Sequence, residues 1–529
     1  MRAKKRVLIL GGGLAGLSAG LEILDRAAER YEVTVVCMEG RLGGKAASWR
    51  LPDGRYMETG FHSLFGYYTA VPALLSRCGR EVSDERWFTS NHGVHRMYDV
   101  GANAVNTLRV PGGALDVRAL LESDLLGYRG MNLSQKLRTA RFLARLVAEF
   151  AKGEPPPSMD EDAFTPWCVA HGLDLDLTWA PWFRYVFDLT YNYPHEGSAY
   201  VGVKGFRDMF GFRKSPVIYF NGPLSEVLIA PVAEAFVKAG GRIEFCTKAT
   251  GVALDRAGRA ITEVTLAPMA RAVPIDGAFD RVHVDAGGGV DPLAEAPYPK
   301  GDPMPPVSGG ERALRVGRDF DAVVSTLPID SLRALLRTTP DFDRAVLDHA
   351  ALAGVWKLRT VVSISLRMWL KEQVFPSDYD TVVLGTPQPA ATVIDYANRV
   401  GALRRGSGSV VEMLGQEGLD GELTDDELVR RMLGNLAALP FVDGGRFDPA
   451  KVFAQADGNQ WVFRRNGAHH MRYVLAEPGH WKHRLDARVA GYDNLFFAGD
   501  WVRSSQPTPS MEAAVRAGVA AADALLSAV

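Results

Sequence analysis

The sequence predicts an α/β protein built on a parallel sheet, joined to a second, mixed α+β domain. Three observations carry this expectation. An apolar run from Arg6 to Leu10 enters the pattern Gly11-x-Gly13-x-x-Gly16, a helical stretch follows from Leu14 to Arg30, and a second apolar run spans Glu32 to Val36. That is the strand–helix–strand opening of a Rossmann-like domain, complete within about 35 residues. The 529 residues suffice for two or three compact units. Between Trp179 and Phe220, 13 of 42 residues are aromatic against 9% overall, which sets the middle of the chain apart from its ends.

The remaining elements follow in order. Met131 to Lys152 reads as a basic helix broken by Pro155, Pro156 and Pro157. Pro231 to Asp255 gives a helix, the turn Gly240-Gly241 and a strand pair. Residues 270–318 are rich in Gly, Pro and Asp and read as a surface excursion. Phe320 to Leu327 resumes a buried strand, Val361 to Leu370 is another, Leu419 to Leu439 is a helix with an acidic start, and Asn494 to Val529 is a strand, a loop and a long helix.

Composition excludes several functions. With 60 basic against 62 acidic residues, no polyanionic partner is implied, so nucleic-acid binding is not expected. Cys37, Cys78, Cys168 and Cys246 include no CxxC pair, which disfavours a disulfide framework or a cysteine zinc site. Lys4, Lys5 and Arg6 before an apolar run resemble a signal peptide, but glycines 11 to 13 suit a tight turn rather than a membrane segment. No other apolar stretch reaches spanning length.

Each glycine of the pattern does something different. Gly11 permits the turn, Gly13 lets backbone approach a pyrophosphate, and Gly16 permits close packing of the helix. Leu14 and Ala15 fill the first helical turn, where the N–H groups and the dipole favour phosphate. Such sites usually carry an acid for the ribose at the end of the second strand. Here that position is Cys37 and the nearest carboxylate is Glu39, which reaches the ribose if the strand runs two residues further.

Further motifs narrow the cofactor: Arg41-Leu42-Gly43-Gly44-Lys45, Glu58-Thr59-Gly60-Phe61-His62, Ala498-Gly499-Asp500-Trp501, and Ser510-Met511-Glu512-Ala513-Ala514-Val515. With these, the chain resembles the flavin amine oxidase superfamily, and within it the plant and cyanobacterial branch of phytoene and zeta-carotene desaturases. The resemblance is strong at the two ends and thinner between, where it includes Tyr219 to Pro223. It implies FAD. Gly43 and Gly44 would pass close to the diphosphate with Arg41 or Lys45 balancing its charge, while Gly499 and Asp500 would hold the ribityl chain. The helix start at Ser510, Met511 and Glu512 would face the flavin pyrimidine edge, and Gly60, Phe61 and His62 would lie by the ring. Val252 joins the set from the returning strand pair. Covalent attachment is not expected, since no cysteine follows Cys246.

Because both ends serve one cofactor, the FAD domain is expected from residues 1–90, 216–330 and 484–529, and the substrate domain from 91–215 and 331–483. No metal or nucleophilic constellation stands out. The pairs His92/His95, His469/His470 and His480/His483 lack zinc spacing and read as ordinary polar or packing residues. Lys357 matches a flavin-facing lysine of amine oxidases or is a solvent-facing one. An isoprenoid substrate needs an apolar enclosure more than acid–base groups. Trp182, Tyr185, Phe187, Phe206, Phe210 and Phe212 either line it or form a core.

Lys136, Arg138, Arg141 and Arg145, opposite Leu143, Leu146, Val147 and Phe150, would suit an interfacial helix or an ordinary surface one. The expectation is an FAD-dependent oxidoreductase acting on a long apolar isoprenoid, by carotenoid desaturation or a related conversion, with a quinone or oxygen as electron acceptor. An amine or amino-acid oxidase and a flavin-binding protein without turnover are the alternatives. The expected location is the cytoplasm, with or without peripheral membrane contact.

Overall fold

A computed structural model describes residues 3–51, 55–90, 94–109, 124, 127–151, 153–179, 187, 195–210, 217–255, 257–269, 310–340, 342–379, 381–384, 390–403, 406–417 and 422–528. Five parallel strands form one sheet in the order Arg242–Glu244, Tyr31–Val36, Lys5–Leu10, Ala322–Ser325, Leu495–Phe497. The two strands Lys5–Leu10 and Ala322–Ser325 bury Val7 to Leu10 and Ala322 to Ser325 on both faces, because both faces are covered. The helix Leu14–Ala27, three residues shorter than expected, packs along the helix Met511–Ala528. Gly518 sets their approach: a Cβ there would lie 2.2 Å from Ser18 Oγ and 2.7 Å from the Ala15 carbonyl oxygen.

Thr247–Leu254, Ile261–Pro268 and Arg312–Arg315 form an antiparallel meander. The stretch read as an excursion over residues 270–318 therefore contains a strand. Its polar residues pair at a sheet edge, which leaves no apolar pattern in the sequence.

The second domain holds a seven-stranded mixed sheet, ordered Gln460–Arg465, Ser363–Leu370, Ser409–Gln416, Ala390–Asp395, Thr381–Leu384, Val94–Asp99, Ala104–Arg109. Ser363–Leu370 is buried throughout. Alternation sends Ile364, Leu366, Met368 and Leu370 into a core with Val429, Met432, Leu433 and Leu436 of the helix Asp425–Ala437. The other face turns Trp369 toward a small cluster with Met57 and Tyr396. The helix begins with a capping box in which Thr424 and Glu427 satisfy each other's backbone N–H groups. Among the described residues, no helix is long and apolar enough to cross a membrane.

Candidate cofactor site

The first parallel strand ends in a turn that only glycine accommodates. Gly11 has φ +123°, and a Cβ there would lie 2.4 Å from Thr326 Oγ1. A Cβ on Gly16 would meet the Gly11 carbonyl oxygen at 2.1 Å, so this glycine is needed for closing the helix onto the turn. Gly13 differs. A Cβ there would touch only the Gly43 carbonyl oxygen, at 3.8 Å, so the fold itself does not demand glycine. It caps a helix whose first residues, Leu14 and Ala15, are buried and whose start has no capping side chain among the described residues. A cradle open at Gly13, facing uncapped N–H groups, fits a diphosphate.

A second glycine pair closes against the first. Gly43 N–H donates to the Gly12 carbonyl at 2.9 Å, Gly13 and Gly43 form a parallel bridge, and Gly43 has φ +105°. The parallel strand stops at Val36, so strand alternation does not aim Glu39. The buried Glu39 carboxylate instead pairs with Arg41 at 3.1 Å and with His470 at 3.4 Å. Cys37 lies beneath the loop, 2.6 Å from where a Cβ on Gly12 would sit; its thiol donates to the Arg41 carbonyl, and burial, then the Glu39 charge, pushes it up to about 12. It therefore packs the loop as a neutral group.

The C-terminal motif joins this loop. Lys45 pairs with Asp500 and lies 4.2 Å from the Tyr473 ring centre. Gly499 has φ +134° and approaches the Thr326 backbone, while the Thr326 hydroxyl donates to the carbonyls of Leu10 and Gly11. Thr326 thus stands between the two ends of the chain. Ser510 Oγ accepts from Ala513 N–H at 3.1 Å and caps the last helix, in which Met511 is buried. The Glu512 side chain turns away from that helix start. Its carboxylate accepts from the N–H groups of Thr69, Ala70 and Val71, capping the helix Ala70–Arg77, and it pairs with Arg516 at 2.7 Å. Only its backbone can face a ligand at the start of the last helix.

At the far end, Gly60, Phe61 and His62 follow the strand Tyr56–Glu58. Phe61 sits between Tyr396 and Tyr219, at ring distances of 5.2 and 5.8 Å. Behind it lies a buried charge cluster. Arg367 bonds Glu412 at 2.6 and 2.9 Å, lies 3.5 Å from Glu58, and donates to the Tyr56 carbonyl. Burial pushes the Glu58 carboxyl up, but the His62 ring and the Arg367 charge outweigh it and hold it below the ordinary value.

Other expected residues fall elsewhere. Val252 is buried and gives its N–H to Thr338 Oγ1 at 3.2 Å, on the helix side of the meander. Lys357 is exposed beside His483, apart from the glycine loops. Phe187 and Phe206 are core rather than pocket wall: at 0% and 2% exposure they pack on Phe164 at 4.9 and 5.9 Å. The side chain of Phe210, and Trp182, Tyr185, Phe212 and His92 entirely, lie outside the described residues. Two partners escaped the sequence reading, Thr326 and His470. The first carries no local signal, and the second stood in a histidine pair read as ordinary.

The sequence profile of the flavin containing amine oxidoreductases matches residues 14–266 and 307–526. The chain is 23% identical to a 15-cis-phytoene desaturase of Synechococcus elongatus over 530 residues, covering 99% of this chain and 96% of the relative. It is 37% identical to a zeta-carotene desaturase of Solanum lycopersicum over 193 residues, 34% of this chain and 30% of that one. Among solved structures, a putrescine oxidase variant aligns over 99% of both chains with a TM-score of 0.65 at 14% identity. The cyclohexylamine oxidase of Brevibacterium oxydans aligns over 99% of both with a TM-score of 0.61 at 16%. At such identities the structural likeness speaks for the fold. The chain belongs to the flavin containing amine oxidoreductase family, and its cofactor is FAD, held non-covalently.

Proposed function

We propose that this oxidoreductase takes a hydride and a proton from adjacent carbons of a long apolar isoprenoid of the carotenoid type, leaving a double bond, most simply as a desaturase. The observation that carries this reading is the alignment with a 15-cis-phytoene desaturase along nearly the whole of both chains. The amine oxidases share the fold alone. The geometry at the ring end supports the same choice. Phe61, Tyr219 and Tyr396 offer apolar faces there, and the charges behind them are buried and engaged with one another, Arg367 with Glu412 and Glu58.

When bound, FAD supplies the two-electron oxidant, which leaves the protein to position the reactants and exclude water. The Gly11–Gly16 turn and the Gly43–Gly44 pair would hold the diphosphate, and Asp500 the ribityl chain. The helix start at Ser510 would hold the pyrimidine edge, where its dipole favours negative charge. Phe61 would close the ring face against solvent. The electron acceptor in this reading is a quinone or oxygen.

The reading extends to peripheral membrane contact, since an isoprenoid of this size resides in a bilayer. The apolar face expected from Leu143 and Leu146 packs on the core instead, with Leu146 buried and Leu143 half-buried, but other leucines of the helix Leu133–Ala151 support contact: Leu133 and Leu137 are 73% and 59% exposed, beside Lys136 and Arg141. Expression in a host that accumulates coloured carotenoid precursors tests the proposal. A new pigment on chromatography is the expected result; unchanged pigments, with peroxide released from amines by the purified protein, would replace it with an amine oxidase.

A further inference from the structure

Both cations assigned to the FAD diphosphate are already neutralised within the protein, Arg41 by Glu39 and Lys45 by Asp500. A helix N-terminus contributes only about half an elementary charge. A dianionic group in this cradle therefore calls for another cation.

Arg484 stands at the right place. It follows the short helix Trp481–His483, and the segment after it runs beside the C-terminal motif. Phe497 N–H donates to the Ala487 carbonyl at 2.9 Å, and Arg503 N–H to the Leu485 carbonyl at 2.7 Å, so Arg484 flanks the stretch that carries Gly499 and Asp500. Its side chain is 2% exposed, yet Nε, Nη1 and Nη2 are all buried without a hydrogen-bond partner among the described residues. Its Cζ lies 5.7 Å from the Trp481 ring centre, but a buried guanidinium whose N–H groups lack acceptors is costly, and folds retain one where something arrives to accept from it. Burial pulls its proton affinity down, to about 10, against the more distant charges of Asp500 and Asp160, and it remains charged at neutral pH.

His480 adds an independent sign. Its Nδ1 is taken up by the Glu477 carbonyl at 2.6 Å and by Asp160 at 2.9 Å, while Nε2 is buried without a partner among the described residues. A guanidinium that needs acceptors and a ring nitrogen that needs a donor are satisfied together by a ligand bearing both phosphate and hydroxyl groups. The ribityl–diphosphate junction of FAD is such a ligand, and Asp500 marks where it would lie.

We propose that Arg484 donates its hydrogen bonds to the FAD diphosphate where it meets the ribityl chain, supplying the net positive charge that the paired Arg41 and Lys45 do not. The assignment rests on FAD as cofactor and is independent of the substrate.

The test uses the full-length protein freed of flavin, the variants Arg484→Met and Arg484→Lys, and two ligands, FAD and ADP, with riboflavin as a control lacking phosphate. Loss of charge-assisted bonds should weaken FAD and ADP alike by about tenfold to a hundredfold in Arg484→Met. Arg484→Lys should recover part of the loss, and riboflavin binding should not change. Ligand-free Arg484→Met should melt at or above the wild-type temperature, because an unpaired buried charge has been removed. Unchanged FAD and ADP affinity would overturn the proposal, as would weakened FAD with unchanged ADP. A ligand-free Arg484→Met that melts well below wild type would make Arg484 a structural residue instead.

Discussion

Lys45 and Asp500 are joined by an ion pair across 455 positions of sequence, and both are largely buried. The pair ties the glycine loop after the second strand to the motif after the last one. Removing one partner strands the other in a low-dielectric site. Asp500→Ala should therefore cost roughly 3 kcal/mol or more of stability and weaken FAD retention, whereas Lys45→Met combined with Asp500→Leu should recover much of the stability but not the FAD. Chemical denaturation and flavin retention on gel filtration separate the two effects; a double variant no more stable than Asp500→Ala would show that the pair is not the source of the loss.

Gly13 and Gly16 should respond in opposite ways although they belong to one motif. A Cβ at Gly13 meets no protein atom closer than 3.8 Å, so Gly13→Val should fold with a near-native circular dichroism spectrum and fail to bind FAD. Gly16→Ala drives a methyl into the Gly11 carbonyl, so it should lower the melting temperature of the ligand-free protein. Equal melting temperatures for the two ligand-free variants would contradict this division.

Acid should destabilise the protein through carboxylates held below their ordinary range. Burial raises Glu58 and Asp160, but His62 and Arg367 in one case, and His480 in the other, hold both lower. A depressed carboxyl stabilises the fold above its unfolded value, 4.5 for Glu58, and that contribution disappears as pH falls through the folded value. The melting temperature should stay level from about pH 7 to 5 and decline below it. Glu58→Gln should make that decline shallower, and an identical slope in the variant would remove Glu58 from the account.

Phe187 and Phe61 should differ as core and site. Phe187→Ala empties a space beside Phe164 and should cost about 3–5 kcal/mol in denaturant unfolding. Phe61→Ala should leave FAD bound while changing turnover of the carotenoid substrate. Full activity in Phe61→Ala would place the substrate elsewhere.

Membrane contact can be checked separately. Leu133→Asp with Leu137→Asp should reduce sedimentation with vesicles of anionic phospholipid while leaving FAD content unchanged. Equal sedimentation would assign those leucines to an ordinary surface.

The legible part of this molecule was the part whose physics is local. Gly11, Gly16 and Gly43 are dictated by turns and close approach within a few residues, and the acidic start near Thr424 and Glu427 announces its helix in the same way. The rest depends on residues that arrive from afar. Thr326 reaches the glycine turn because Ala322–Ser325 is the strand beside Lys5–Leu10, and His470 reaches Glu39 from the second domain. Glu512 was placed correctly on the last helix, but its side chain serves a different helix altogether, which no spacing in the sequence expresses. The aromatic-rich segment stays open in the sequence for a related reason: Phe187 and Phe206 look the same there whether they face a ligand or pack on Phe164.

The order of the parallel sheet also governs how the polypeptide is made. Lys5–Leu10 leaves the ribosome well before most of its sheet partners: its neighbour Ala322–Ser325 comes more than 300 residues later and the edge strand Leu495–Phe497 later still. At ordinary elongation rates the first strand waits roughly half a minute to a minute and a half for the sheet to be completed. During that interval the apolar segment Val7–Leu10 has only Tyr31–Val36 beside it early on, and the dinucleotide turn lacks Thr326, Gly499 and Asp500. Cofactor capture is thereby deferred until the segment carrying Gly499 and Asp500 has been made, and until then the early strands of such a nascent chain are exposed to aggregation.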